Sequence, residues 1–250
     1  MTYMLANAQQ VGDREDQQDA FAFSDPADRA LVSHGGVVAV LADGMGGLRH
    51  GAAVARAGVR AFLDAYKKKD RAEDIPAALE RSLVASNDAV LAFVRQLHAE
   101  GAAATTLVAA VLRGQELFWV SAGDSRAYLV REQRAYRLTV DHTGRDDAFV
   151  HARGHSLASN VTDHASVTSF LGMPVRPRMD RSLRPFAVRS GDCVLLASDG
   201  LYDALTEEEI GKACERDLNA SCTALVDMVL RRRVPEQDNL TVMAMACSTK

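Results

Sequence analysis

Residues Gly36–Gly47 read GVVAVLADGMGG, an apolar run that stops at one aspartate followed by glycines. Val37, Val38, Val40 and Leu41 are mostly β-branched, and the run is too short for a typical helix, so it predicts a strand buried on both faces. Asp43 then falls at the strand's exposed end, and Gly44, Gly46 and Gly47 allow the backbone to turn or to approach an ion or anion closely. A carboxylate on a rigid strand end suits a hard oxygen ligand. On this stretch alone a tight turn with a solvated Asp is the simpler reading, so the rest of the chain decides.

Working outward, Thr2–Gly12 and Asp19–Ser24 read as strands before the central run. After it, Ala52, Ala55, Val59, Phe62, Leu63 and Tyr66 recur at helical spacing from Leu48 to about Lys69. Asp74 is placed to cap a second helix, Ile75–His98, with Pro76 in its first turn. The period then changes. Ala104–Leu112, Glu116–Ala122, Arg126–Arg131 and Ala135–Leu138 read as short strands joined by turns at Arg113-Gly114, Gly123-Asp124 and Glu132-Gln133, a pattern that predicts an antiparallel meander. Residues 139–178 lack a clear period and read as a partly helical surface flap. Strands are expected at Arg181–Val188, Cys193–Ser198 and Leu240–Ala246. Helices are expected at Thr206–Glu215, where Thr206 and Glu209 form a capping-box pattern, and at Asn219–Arg232. Paired helices, grouped strands and no βαβ rhythm predict an α+β fold. No linker or repeat divides the chain, so one domain spanning 1–250 is expected.

The composition is that of a globular protein: 250 residues, 48% hydrophobic and 25% charged, with a net charge of −4. No apolar run of about 18 residues predicts a membrane span, and the first residues lack a signal-peptide pattern. No basic face points to nucleic acid. The runs Lys67–Lys69 and Arg231–Arg233 are read as solvated helix ends, where cations complement the macrodipole. Cys193, Cys214, Cys222 and Cys247 form no CxxC pair, which argues against zinc and for a reducing, cytoplasmic setting. His142, His151, His155 and His164 fit no zinc spacing and are read as exposed loop residues; Trp119 and Tyr128 are read as core.

The Asp43 pattern recurs. VSAGDSRAYLV places Asp124 between two strands, CVLLASDGLYDAL places Asp199 after an apolar strand with Asp203 one helical turn on, and EQDNLTV places Asp238 before the last strand. Arg14 and Asp19 lie at a loop-to-strand junction. Such an all-oxygen set suits Mg²⁺ or Mn²⁺ rather than Zn²⁺.

Arg14…Asp19, Asp43-Gly44-Met45-Gly46-Gly47, Gly123-Asp124-Ser125-Arg126, Ser198-Asp199-Gly200-Leu201…Asp203 and Asp238-Asn239…Thr241-Val242 together resemble the motifs of the metal-dependent Ser/Thr protein phosphatases (type 2C, the PPM family) of bacterial type. Leu138-Thr139…Asp141-His142 and Phe170-Leu171-Gly172 resemble the opening and close of that family's flap. The resemblance implies a four-layer α/β/β/α sandwich, two antiparallel sheets each flanked by a helix pair. It implies that Asp43 bridges two Mn²⁺ or Mg²⁺ ions, helped by the Gly44 carbonyl. Asp199 and Asp238 complete that site, Asp19 supports it, and Asp124 and Asp203 join Asp199 around a third, weaker metal. Arg14 would grip the phosphate, and Asn239 would orient Asp238 or the phosphate region. The implied reaction is hydrolysis of phosphoserine and phosphothreonine in proteins by metal-activated water, with no protein nucleophile, so Ser125 and Ser198 are given only local hydrogen bonds.

Departures from the pattern stand at Gln17-Gln18, in place of an Asn and an acidic residue, at Met45, at Leu48 with His50 displaced, and at Ser169 near the flap's end. They bear on leaving-group protonation and on substrate preference rather than on the metal ligands. The resemblance further implies phosphoprotein substrates, an antagonistic Ser/Thr kinase, and a cytoplasmic, stand-alone monomer. Two alternatives stay open: a phosphatase-like module that binds phosphoproteins without turnover, and a phosphatase dedicated to a small anti-sigma-antagonist type of regulator.

Overall fold

The computed structural model describes residues 1–45, 47–144, 167–214 and 217–248. Two antiparallel sheets face each other. One has the order β1-β13-β12-β8-β9, from Thr2–Gln10 (β1), Leu240–Ser248 (β13), Cys193–Ala197 (β12), Arg126–Arg131 (β8) and Arg134–Arg137 (β9). The other runs β10-β7-β6-β3-β2, from Asp180–Arg181 (β10), Glu116–Ala122 (β7), Leu107–Arg113 (β6), Val37–Ala42 (β3) and Ala20–Phe23 (β2), with Phe186–Ala187 (β11) also on β7. A two-residue ribbon joins Gly44–Met45 (β4) to Ala104–Thr105 (β5).

The apolar run that opened the reading is β3, and its uniform hydrophobicity has a packing cause. Val37, Ala39 and Leu41 point to the opposite sheet, meeting Leu129, Leu196 and Met243. Val38, Val40 and Ala42 point to the other face, where helices α2 (Gly47–Tyr66) and α3 (Ile75–Gln96) cover them through Val59, Phe62, Leu79 and Leu83. The far sheet is covered in turn by α4 (Asp199–Tyr202), α5 (Glu207–Ala213) and α6 (Leu218–Arg232), through Leu201, Ile210 and Leu225. The expected four layers are present.

Local signals place the helices. Asp74 accepts from the Ala77 N–H at 2.7 Å with Pro76 in the first turn, and Thr206 and Glu209 close a reciprocal capping box. The Glu132-Gln133 turn has positive φ at both residues, 52° and 59°, the geometry that lets a two-residue hairpin follow strand twist.

Several expectations are corrected. The strands from Leu107 to Arg137 do not form one meander: β6–β7 and β8–β9 are hairpins in different sheets, and the chain crosses between them at Gly123-Asp124. The span Arg181–Val188 is broken into β10 and β11; Pro185 lacks the N–H that a continuous ladder needs. A short helix not anticipated, α1 (Arg29–Gly35), starts where Asp28 caps the Leu31 N–H at 3.0 Å. Lys69 is not a solvated helix end but buried, its ammonium on the Asp70 carbonyl at 2.9 Å. Tyr128 is core as expected, whereas Trp119 is half-buried and directs its indole N–H to Asp180 at 3.4 Å. Of the flap, only its two roots fall among the described residues.

Candidate metal centre

At one end of the sandwich a cleft of about 370 Å³ is lined by Asp43, Asp124, Asp199 and Asp238, with Arg14 at its edge. Each acid stands where an apolar element ends or crosses. Asp43 follows β3, and its backbone is clamped: its N–H donates to the Thr106 hydroxyl at 3.0 Å, and its carbonyl accepts from the Thr106 N–H and the Thr105 hydroxyl. Asp199 opens α4 after β12. Asp124 sits at the crossing between the sheets, its carbonyl accepting from the Tyr202 hydroxyl at 3.0 Å. Asp238 precedes β13. Asp19 lies buried, where its Oδ2 accepts from Ser198 at 2.8 Å and Thr241 at 2.6 Å.

Asp203 is exposed at the end of α4 and outside the cleft lining, yet near enough for its charge to raise the pKa of both Asp124 and Asp199. Gly44 packs its α-carbon against backbone. A Cβ there would collide with the Gly51 and Gln18 carbonyls, so this glycine is required for α2 to start beside the cleft.

Arg14 forms a two-pronged pair with Asp238, Nε to Oδ1 at 3.0 Å and Nη2 to Oδ2 at 2.7 Å. Gly12 sets this up: at φ 65° it lies against the Gln237 and Asp238 carbonyls, where any Cβ would clash. Asn239 holds the same loop, accepting from the Gln18 N–H and donating to the Val11 and Asp16 carbonyls. Its link to Asp238 is a backbone N–H to Oδ1 at 2.7 Å.

The electrostatics are those of crowded anions. Burial, then the charges of Asp19, Asp199, Asp124 and Asp238, push the Asp43 carboxyl well up. Burial followed by Asp124, Asp238 and Asp19 raises Asp199 to about 8. Asp19 and Asp124 are each raised to about 6, chiefly by burial. One oxygen each of Asp19 and Asp199 is buried without a hydrogen-bond partner among the described residues. Such groups carry a desolvation penalty unless a cation meets them.

These residues fit hard divalent ions. The donors are carboxylates in excess over the one guanidinium that lines the cleft with them, and two of their oxygens are buried without a hydrogen-bond partner among the described residues. Among the described residues no three His, Cys, Asp or Glu side chains stand close enough together to hold an ion by themselves, so a bound Mg²⁺ or Mn²⁺ would need waters to complete its coordination.

Sequence reasoning passed over the hydroxyls that aim these acids. Thr106 reads as an ordinary strand residue with no aspartate near it in sequence, and Thr241, although part of the last family motif, gives no local sign that its hydroxyl meets Asp19, 222 residues away. His142 is corrected: it is buried, and its ring Nδ1 accepts from the Gly123 N–H at 3.1 Å. His151, His155 and His164 lie outside the described residues, as does Gly46. Ser125 pairs with Thr106, as expected of a local bond; Ser198 instead orients a site acid. Gln17, where the family pattern has another residue, accepts from the Asp19 N–H at 2.9 Å. Ser169 is buried and donates to the Arg178 carbonyl.

Comparison with known proteins gives the family and the fold. The family model described as Protein phosphatase 2C matches residues 9–240. The Serine/threonine phosphatase stp of Listeria innocua is 28% identical over 220 residues, covering 82% of each chain. A crystal structure of the catalytic domain of the phosphatase PstP in complex with two manganese ions superposes with a TM-score of 0.74 at 28% identity, over 97% of both chains. PppA of Pseudomonas aeruginosa, described as a key regulatory component of its T6SS, gives 0.76 at 26% identity, over 98% of this chain and 97% of that one.

Proposed function

This chain belongs to the protein phosphatase 2C family and is a metal-dependent protein serine/threonine phosphatase, and we propose how its residues divide the work. The observation that carries the proposal is the crowding of Asp43, Asp124, Asp199 and Asp238 on one cleft with Asp19 beneath. Asp43, Asp199 and Asp238 hold two Mn²⁺ or Mg²⁺ ions, Asp19 supports them, and Gly44 offers its carbonyl. Asp124 and Asp203, with Asp199, serve a third ion. When bound, two such ions supply a nucleophilic water near neutral pH and neutralise charge during in-line displacement at phosphorus.

The chain's own contribution is positional. Ser198 and Thr241 hold one Asp19 oxygen and leave the other buried without a hydrogen-bond partner among the described residues. The clamp on the Asp43 backbone fixes its carboxylate at the strand end. Arg14 grips the phosphate: two of its five N–H donors meet Asp238, and the remaining three form an open fork toward an anion.

We read the chain as one catalytic domain acting on phosphoproteins as a cytoplasmic monomer opposite a Ser/Thr kinase. The four unpaired cysteines support the reducing compartment, and the description of the P. aeruginosa neighbour supports a regulatory circuit. The test is phosphatase activity on phosphoserine and phosphothreonine peptides with Mn²⁺ added, comparing wild type with Asp43→Asn and Asp199→Asn. Activity is expected to fall at least a hundredfold in each; retained activity in both variants sinks the assignment. Loss of turnover in wild type with phosphopeptide binding intact would favour a binding module.

A further inference from the structure

β2 is the outermost strand of its sheet, pairing with β3 and with no other strand among the described residues. The Ser24 N–H donates to the Val38 carbonyl at 2.8 Å. By the alternation of an antiparallel ladder, Ala20 and Ala22 therefore turn their backbone groups to β3, while Phe21 and Phe23 turn theirs outward. The outward carbonyl of Asp19 accepts from the Gln9 side chain at 3.3 Å, which agrees with that direction. The outward N–H and C=O groups of Phe21 and Phe23 meet no partner among the described residues.

Beside this edge, between β2 and α2, runs a groove of about 320 Å³. Its floor is apolar, made by Ala20, Ala22, Val59 and Leu63, and its rim carries Arg56, Arg60 and Lys67 against the single carboxylate of Asp64. Arg60 stands 3.7 Å from Asp64, whereas Arg56 and Lys67 are exposed and have no ion-pair partner among the described residues. The edge thus offers backbone donors and acceptors, an apolar floor and a surplus of positive charge. A second copy of this chain would bring the same cations against them, and short, charged edges resist such pairing. An extended acidic chain satisfies all three features.

We propose that the β2 edge and the cationic groove along α2 dock an extended segment of the phosphoprotein substrate, with alternating apolar and acidic residues, as one more strand outside β2. The proposal rests on the phosphatase reading and adds a substrate class to it. β2 starts directly after Asp19, while α2 passes beside the cleft at Gly51, which packs on Gly44 and Gln18. Four residues of β2 span roughly 13 Å, so the acidic residues should lie within about ten residues of the phosphorylated one.

The probe is an unphosphorylated decapeptide of alternating Val and Glu, titrated by fluorescence anisotropy against the Mn²⁺-loaded protein. Wild type is expected to bind it, and Arg56→Glu/Lys67→Glu to bind at least tenfold more weakly. N-methylating alternate peptide amides in one register should abolish binding, and in the other register leave it unchanged, a control that needs only wild-type protein. In phosphopeptides, the acidic segment should lower KM several-fold over a neutral one in wild type only, with p-nitrophenyl phosphate turnover equal in both proteins. Equal binding by wild type and variant overturns the docking site, as does binding indifferent to N-methylation. So does a dimer in sedimentation that strengthens in the charge-reversed variant. If p-nitrophenyl phosphate is not hydrolysed at all, the phosphatase reading fails, and the peptide titration still reports on the groove.

Discussion

Asp199→Asn should make the metal-free protein more stable and the Mn²⁺-loaded protein less stable than wild type. Burial and the charges of Asp124, Asp238, Asp19 and Asp203 raise the Asp199 carboxyl from an ordinary 3.8 to about 8. A carboxyl with a raised folded pKa holds its proton more tightly when folded. Its contribution to stability is therefore greatest at acid pH and declines as pH rises from 3.8 towards 8. At 1.36 kcal/mol per unit, a shift of roughly four units sets a ceiling of about 6 kcal/mol. Asp124, Asp238 and Asp19 share the same repulsion, so removing one charge should return less, on the order of 1–3 kcal/mol. For a chain of this size that is about 2–12 °C in melting temperature. The assay is thermal unfolding in chelator at pH 5, 6.5 and 8, repeated with Mn²⁺. The Asn variant should gain over wild type in chelator, more at pH 8 than at pH 5. With Mn²⁺ at a thousand times its Kd for wild type, wild type gains about 4.1 kcal/mol, the variant under about 1, and the order reverses. An Asn variant less stable than wild type in chelator at pH 8 would refute the repulsion; equal stabilisation of both by Mn²⁺ would refute the ligand role.

Three other substitutions probe the scaffold. Arg126→Ala removes a guanidinium that grips buried Asp141 at 2.6 Å and lies 3.5 Å over the Tyr202 ring; Arg137 still meets the same carboxylate at 3.1 Å, so urea unfolding should show a loss of about 1–3 kcal/mol. Gly12→Ala places a Cβ against the Gln237 and Asp238 carbonyls at a positive φ, so stability should fall by more than about 1 kcal/mol and Mn²⁺-dependent turnover with it; normal activity in calorimetrically stable protein counts against the assigned role of this loop. Asp74→Ala removes the α3 cap and should cost about 1 kcal/mol, with kcat/KM unchanged because α3 lies behind the sheet.

What could be read ahead of the structure was what is local. Caps at Asp74 and Thr206 depend on residues within one turn, and β3 announces its double burial through composition alone. Strand pairing is different: β7 and β8 show the same short-range pattern whether they join one sheet or two, so the crossing at Gly123-Asp124 could not be seen. α1 escaped because seven residues give too few turns for a period. His142 escaped because the polarity around it matches an exposed loop, while its burial comes from packing under Gly123, 19 residues away.

The acids were legible for a physical reason that the structure makes explicit. An aspartate that ends an apolar strand breaks a pattern, and a chain that does so at Asp43, Asp199 and the crossing at Asp124 brings those breaks together when its sheets stack. Once together they repel, and their carboxyls are raised by burial first and by neighbouring acids after it at Asp19, Asp43, Asp124 and Asp199. Nothing in the packing requires this: apolar or amide side chains at the same positions would relieve it. Arg14 neutralises one charge and is itself committed to Asp238. A fold that retains such repulsion at a strand-end cleft, while Ser198 and Thr241 hold one oxygen of Asp19 and leave the other buried without a partner among the described residues, fits completion by cations. Neutralising Asp43 or Asp199 should therefore stabilise the metal-free chain and lower Mn²⁺-dependent turnover, whereas neutralising Asp238, which pairs with Arg14, should cost stability as well.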